Sequence, residues 1–386
     1  MSKLSPDRLL GERAAAVDVS GIRRVFQLGA TLDDPINLSI GQPDFPVPEA
    51  VKAAAIKAIR EDCNGYTLTH GHASMLAATR RHLQGDVGWT FDDSTDLMIT
   101  SGTSGALQLV FMAVMNDVDE AIVQDPYFVI YPNLGPMFGG RIVLCDTSPM
   151  FRMTAELVEP LMTDRTRIVL VNSPANPTGV VLCQREVDDL YDLCTSRGVL
   201  LVCDEIYDLF TFPDALEGGR FPSPARRGQD MLLIRGMGKT YGCTGWRVGY
   251  AAGPKWLIAE MAKFQQYTYV CAPSIAQAAC CSAFEIDMSE TVADYAGRRD
   301  LVVAELSDVT EVVPSGGAFY SWVKVPEHLG CTATAFAERA VERNVLIIPG
   351  AVFSSADTHF RLSYACCDLK LREGLAILKD MMVGSR

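Results

Sequence analysis

Seven short apolar runs, set between polar and helical stretches, constrain this chain more than any other feature. They are LMIT (97–100), AIVQ (121–124), IVLC (142–145), IVLVN (168–172), VLLVC (199–203), MLLI (231–234) and VGYAA (248–252). Most are continuous and rich in Val, Ile and Leu, the pattern of strands buried on both faces. Helical stretches such as 106–116 and 185–197 separate several of them. Strands alternating with helices predict a layered α/β domain around a largely parallel sheet. In such sheets ligands sit at the carboxyl ends of the strands, so chemistry is sought there.

From about residue 286 the pattern changes. A helix over 288–306 leads to FYSWVKV (319–325), a helix over 334–343, VLIIP (345–349) and a C-terminal helix from Leu369. This reads as a smaller α+β domain. For 386 residues, a division into two or three domains is the natural expectation. The predicted organisation is an N-terminal arm (1–37) joining the small domain, a large domain (38–285) and a small C-terminal domain (286–386).

Composition removes several classes of function. Lys and Arg number 34 against 47 Asp and Glu, a formal net charge of −13. That argues against non-specific binding to nucleic acid or anionic lipid. The twelve cysteines form no CxxC pair, and the adjacent pairs Cys280-Cys281 and Cys366-Cys367 suit no secreted disulfide framework. His70, His72, His82, His328 and His359 stand at no zinc-ligand spacing with cysteine, so no metal is expected. A reduced, cytoplasmic compartment fits best. Residues 1–18 lack the apolar segment of a signal peptide, and the near-apolar run 106–115 is too short to span a bilayer.

Five constellations could carry chemistry. TSGTSG (100–105) stands between a strand and a helix expected from Ala106. It reads as a phosphate cradle or as a plain capped turn. NSPANPTG (172–179) is a rigid turn whose Asn176 amide could meet a ligand oxygen, or an Asx-stabilised turn with no ligand. DEIY (204–207) follows a buried strand. Asp204 there would suit a protonated ring nitrogen, or it caps a helix. In RGMGKTYGCTGWRVGY (235–250) the P-loop reading fails because 233 is Leu, and the Rossmann reading fails because 241 is Tyr. What remains is Lys239 on a Gly-rich loop with Arg247 eight residues on. A desolvated lysine beside a cation is an amine nucleophile; a lone lysine is otherwise a solvated charge. Finally, FRLSY (360–364) alternates like a strand and presents Arg361, either as a carboxylate clamp or as a structural ion pair.

Taken together, these segments resemble the class I/II aminotransferases, pyridoxal-phosphate enzymes of fold type I, and within them the branch of prokaryotic aspartate and aromatic aminotransferases. SGIRR (20–24), IGQPDF (40–45), NSPANPTG, DEIY, TGWRVG (244–249) and RLSYA (361–365) carry the resemblance. It implies a mostly parallel seven-stranded sheet between helices, a smaller α+β domain, and pyridoxal 5'-phosphate as cofactor. Lys239 would hold the cofactor as a Schiff base and shuttle the proton. Asp204 would pair with the ring nitrogen, Tyr207 and Asn176 with the ring oxygen, and Phe128 would stack on the ring. Thr103, Ser104 and Arg247 would hold the phosphate, joined by Tyr66 from the neighbouring subunit of a homodimer. Arg361, helped by Gly41 and Asn176, would clamp the substrate α-carboxylate.

The implied reaction moves the amino group of an L-amino acid to a 2-oxo acid, with 2-oxoglutarate the expected acceptor. A β/γ-lyase on the same scaffold would show the same lysine, aspartate and arginine. A non-catalytic effector module is disfavoured, because only about 20 residues precede the resemblance and the charge is acidic. Aspartate and aromatic donors both stay open, with a lean toward aspartate in a broad-range enzyme. Residues 96–140 contain no Lys or Arg, which leaves Arg23 and Arg24 as candidate partners for a second carboxylate. One departure stands out: the family often has serine where this chain has Gly236 and Gly238. A phosphate-binding hydroxyl is thus missing at 236. Gly236→Ser is expected to tighten cofactor binding, read as the dissociation constant of pyridoxal phosphate; no gain counts against that role.

Overall fold

The computed structural model describes residues 5, 9–17, 19–22, 25, 29–30 and 32–384. Each of the seven apolar runs falls in a strand of one sheet, apart from Val199, Met231 and Val248, which stand one residue before theirs. The strands are β2 (Thr95–Thr100), β3 (Glu120–Asp125), β4 (Arg141–Asp146), β5 (Thr166–Asn172), β6 (Leu200–Asp204), β7 (Leu232–Gly236) and β8 (Gly249–Pro254), after the short β1 (Ile36–Asn37). Their order is β2-β8-β7-β6-β5-β3-β4, and only β8 runs antiparallel to its neighbours.

Alternation explains why these runs are apolar throughout. Val169, Val171, Leu201, Cys203 and Leu233 pack into one core cluster, whereas Ile168, Leu170, Val202, Leu232 and Ile234 pack into another. Successive side chains point to opposite faces, and both faces are covered. Strand β4 departs from this pattern. It lies at the sheet edge, and Arg141, Leu144 and Asp146 are exposed.

A second sheet, of order β11-β12-β9, forms from β9 (Tyr320–Lys324), β11 (Ile348–Pro349) and β12 (His359–Ser363), all antiparallel. The segment 345–349, expected as one strand, divides into β10 (Val345–Leu346) and β11. Strand β1 pairs parallel with β10, and the Ser363 N–H donates to the Leu38 carbonyl at 2.8 Å. A third core cluster joins these strands to the helices Ser289–Leu306 and Asp368–Val383.

The fold gathers the carboxyl ends of β5, β6 and β7. Asn172 is in register with Asp204, and Asp204 with Ile234. Helix α1 (Gly102–Val114) starts four residues before the expected Ala106. Gly102–Gly105 therefore form its first turn, with Thr100 ending β2 and Ser101 at the N-cap. Strand β8 passes directly beneath, which fixes Gly249: a Cβ there would sit 2.7 Å from the Gly102 carbonyl carbon and 2.9 Å from the Thr103 nitrogen. Neither backbone atom can rotate away. Gly249→Ala is therefore expected to destabilise by about 1–3 kcal/mol, through overpacking. Gly297→Ala, on an exposed helix position with nothing within 4 Å, is expected to stabilise by about 0.5–1 kcal/mol. Thermal unfolding of the two variants should move in opposite directions.

Candidate active site

A cavity of about 500 Å³ opens between the carboxyl ends of β5–β7 and the small sheet. Its walls include Gly41, Thr103, Ser104, Phe128, Asn176 and Asp204. Tyr207, Lys239, Arg247 and Arg361 complete the set that the sequence singled out. Tyr66 alone of the expected residues lies elsewhere, 85% exposed on the surface.

Asp204 ends β6 and is buried. Its Oδ2 accepts a hydrogen bond from Tyr131 Oη at 2.9 Å, and its Oδ1 accepts from the Ile206 N–H at 3.3 Å. Burial pushes the carboxyl up to about 6, opposed by those two hydrogen bonds and by Lys239. Asp204 caps no helix; the next turn of helix is Asp208–Phe210. The backbone on either side is fixed by Asn172, whose Nδ2 donates to the Asp204 carbonyl at 2.8 Å and whose Oδ1 accepts from the Asn176 N–H at 2.8 Å.

Lys239 follows β7 on the loop that leads to β8. Its Nζ donates to the Gly41 carbonyl and faces the rings of Phe319 and Tyr207 at 5.7 and 6.0 Å. It makes no ion pair among the described residues. Desolvation pulls its pKa down to about 7, aided by Arg361 and Arg247 and opposed by Asp204. A neutral amine is the nucleophilic form. The surface-charge alternative fails on this geometry.

Arg361 stands on β12, 1% exposed. Its Nη1 donates to Asn176 Oδ1 at 2.9 Å and its Nη2 to the Ser39 carbonyl at 2.8 Å. The guanidinium lies 4.4 Å from the Tyr320 ring centroid and 4.7 Å from that of Phe353. Its Nε has no partner, and no described carboxylate pairs with it. Burial lowers its pKa. A buried cation that meets only neutral acceptors is poised for an anion. Tyr320 Oη also meets Tyr207 Oη at 3.1 Å, and burial raises both phenols.

At the opposite end, Thr103 and Ser104 occupy the first turn of α1, where free N–H groups and the helix dipole favour negative charge. Arg247 adopts a left-handed backbone (φ +55°) and donates to the carbonyls of Thr244 and Ser101 at 3.2 and 3.4 Å. Its guanidinium lies so near Gly102 that a Cβ there would come within 2.7 Å of Nη2. At Gly236 a Cβ would meet Ile206 Cδ1 at 2.8 Å and Thr103 Cγ2 at 3.2 Å. A serine there requires the end of Ile206 to swing aside.

Tyr131 and Tyr320 join the site without any signal in the sequence. Neither belongs to a motif; one starts a short helix and the other sits in a strand of the small sheet. Asn172, within a quoted motif, had been assigned no role. Among the described residues no group of three His, Cys, Asp or Glu could hold a metal, and no helix is long and apolar enough to cross a membrane.

Known proteins resemble this chain in sequence and fold. The family model for aminotransferase class I and II matches residues 33–376. A probable N-acetyl-LL-diaminopimelate aminotransferase of Bacillus subtilis is 32% identical, over 98% of this chain and 97% of its own. Aromatic-amino-acid aminotransferase 2 of Thermococcus litoralis is 29% identical over 97% of this chain and 98% of its own. The solved aspartate aminotransferase of Thermus thermophilus with maleate superposes with a TM-score of 0.89 at 32% identity, covering 96% of this chain and 98% of that one. The chain belongs to the class I and II aminotransferases. It is an enzyme, and its activity is transamination.

Two consequences of the buried charges can be measured on cofactor-free protein. Lys239 carries a folded-state pKa below its ordinary 10.5, so its amine reacts with an aldehyde increasingly as pH rises through about 7. Asp204 carries one above its ordinary 3.8, so folding binds a proton there and stability falls as pH rises from about 4 to 6. Asp204→Asn is expected to remove that fall, leaving a melting temperature at or above wild type at pH 8 and no advantage near pH 4.

Proposed function

We propose that the cavity binds pyridoxal 5'-phosphate and that the chain transfers the amino group of an L-amino acid to a 2-oxo acid by a ping-pong mechanism. The observation that carries this reading is the buried Arg361, which pairs with no described carboxylate, in one cavity with a lysine amine lowered to about 7. The residues present fit the cofactor at both ends. The turn of Thr103 and Ser104 with Arg247 suits a phosphate, and Asp204 suits a ring nitrogen. When bound, the cofactor supplies an aldehyde to carry the amino group and a ring to accept the electron pair left on the substrate carbon.

The chain's own groups do the rest. Lys239 would hold the cofactor covalently and, once displaced by the substrate amine, its neutral Nζ would take the proton from the substrate Cα and deliver it to the cofactor carbon that carried the aldehyde. Asp204 would keep the ring nitrogen protonated, and Tyr131 keeps the carboxylate aimed. Tyr207 and Asn176 would donate to the ring oxygen, and Phe128 would cover a ring face. Arg361 would take the α-carboxylate in place of its neutral acceptors, assisted by Gly41 and Asn176, and so fix which Cα bond is broken.

The donor is proposed as aspartate or an aromatic amino acid, in a broad-range enzyme. Among the described lining residues the cations are Lys239, Arg247 and Arg361, each with a role already assigned. Arg23 and Arg24 lie outside the described residues. Ile22, Ile40 and Gln42 add neutral wall. A second carboxylate, such as that of aspartate or of 2-oxoglutarate, therefore needs a cation from beyond these residues, from the arm or from the partner subunit, and aspartate and aromatic donors both stay open. 2-Oxoglutarate is the acceptor that the family implies.

The functional unit is proposed as a homodimer in which Tyr66 reaches the phosphate of the partner's site. Its exposure supports that, together with the exposed Leu68 and Tyr267. The large domain is taken as 38–285, and the small domain as 286–386 with the arm. Twelve free thiols support a cytoplasmic setting.

In the test, purified holoenzyme is mixed with L-phenylalanine or L-aspartate without acceptor, and the visible spectrum is followed. One keto acid per site is expected, and the relative rates rank the two donors. Keto acid accumulating over many turnovers would overturn the transaminase reading in favour of a lyase. Arg361→Gln should lower kcat/KM by about 10²–10³-fold, the effect of removing one partner of a buried ionic contact.

A further inference from the structure

Beneath the cavity, one guanidinium ties together the two segments that carry its chemistry. Arg235, next to last in β7, is 1% exposed. Its Nε donates to Glu205 Oε2 at 2.9 Å and its Nη1 to Asp86 Oδ2 at 2.7 Å; Asp208 Oδ2 lies 3.2 Å from the same Nη1. Glu205 Oε1 also accepts from Ser223 Oγ at 2.7 Å, and Asp86 Oδ1 takes a second guanidinium, that of Arg226, at 3.2 Å.

The placement of these groups follows the chain. Glu205 adjoins Asp204, Asp208 adjoins Tyr207, and Arg235 stands four residues before Lys239. Neighbours at a strand end point to opposite sides. Asp204, Tyr207 and Lys239 thus line the cavity, whereas Glu205, Asp208 and Arg235 do not. The cluster touches no part of the site, yet it joins the turn after β6 to the strand that delivers Lys239.

Stability alone does not account for it. Three carboxylates face two guanidiniums, largely out of water. Well-packed apolar side chains of similar volume commonly hold a fold as well or better. What charge-assisted hydrogen bonds add is direction, which fixes relative placement closely enough for proton transfer.

We propose that Arg235, with Glu205 and Asp208, is a positioning unit of the active site, holding the turn of Asp204 and Tyr207 in register with the loop of Lys239. This rests on the functional reading above. It also explains an arginine one residue before Gly236: the strand end is held from below by charge.

The test compares wild-type holoenzyme with Arg235→Lys, Arg235→Met and Glu205→Gln. Bound cofactor is counted by absorbance, and kcat is expressed per loaded site. Arg235→Met is expected to lose about 100-fold or more in kcat per loaded site, with KM within a few-fold. Arg235→Lys should recover at least tenfold of that loss. Glu205→Gln, which keeps both hydrogen-bond partners, should lose about tenfold in kcat while melting within a few degrees of wild type. If Arg235→Met fails to fold, the Lys and Gln variants decide. A purely structural cluster would lower the melting temperature and the loaded fraction but leave kcat per loaded site unchanged, and that result overturns the proposal. A wild-type holoenzyme that takes up cofactor but does not transaminate would overturn both this proposal and the functional reading beneath it.

Discussion

The site depends on one constraint: a buried guanidinium, a buried carboxyl and a half-buried amine share one cavity without forming an ion pair with one another. Lys239 donates to a backbone carbonyl, Arg361 to an amide and a carbonyl, and Asp204 accepts from a phenol and a backbone N–H. Had Asp204 paired with Arg361, both would have been spent on structure. Because each meets a neutral partner instead, each keeps its electrostatic demand for a ligand. The same separation draws Lys239 down to about 7 and Asp204 up to about 6. Burial is the larger cause in both cases, which is the usual sign of a site rather than of a surface charge pair.

The fold sustains this unfavourable arrangement by supplying its parts from rigid elements. Asp204 comes from the end of a central strand, Lys239 from the loop after the neighbouring one, and Arg361 from a second sheet. The aromatic side chains between them seal the cavity and orient the polar atoms. Tyr320 does both, with its ring against Arg361 and its hydroxyl on Tyr207. Tyr320 and Arg361 lie on paired strands, where Tyr320 opposes Ser363, so the contact follows directly from the register.

Much of this was legible in the sequence, for reasons that differ by element. The strands declared themselves because both sheet faces are covered, which forces continuous apolar runs; only the edge strand β4 breaks the rule. The motif residues Asp204, Asn176, Lys239, Arg247 and Arg361 stood out through chemistry placed at strand ends and through family likeness, and they do converge on one cavity. The start of α1 is hidden because glycine, serine and threonine read as a turn, whereas Gly102–Gly105 are the first turn of the helix. Tyr131 and Tyr320 were invisible because an aromatic residue in a helix or strand looks the same whether it fills a core or aims a hydroxyl. The burial of Arg361 was equally hidden: alternation placed it on a face, but only tertiary packing shows that no carboxylate shares that face. The Arg235 cluster joins residues up to 149 positions apart, a distance over which no local pattern speaks.

Whether Lys239 is the amine that holds the cofactor can be read by incubating the protein with pyridoxal phosphate near neutral pH, trapping the adduct by borohydride reduction and mapping the modified peptide by mass spectrometry. One stoichiometric modification, on Lys239, is expected. A label spread over surface lysines, or an unmodified Lys239 in folded protein, would show that Lys239 does not hold it.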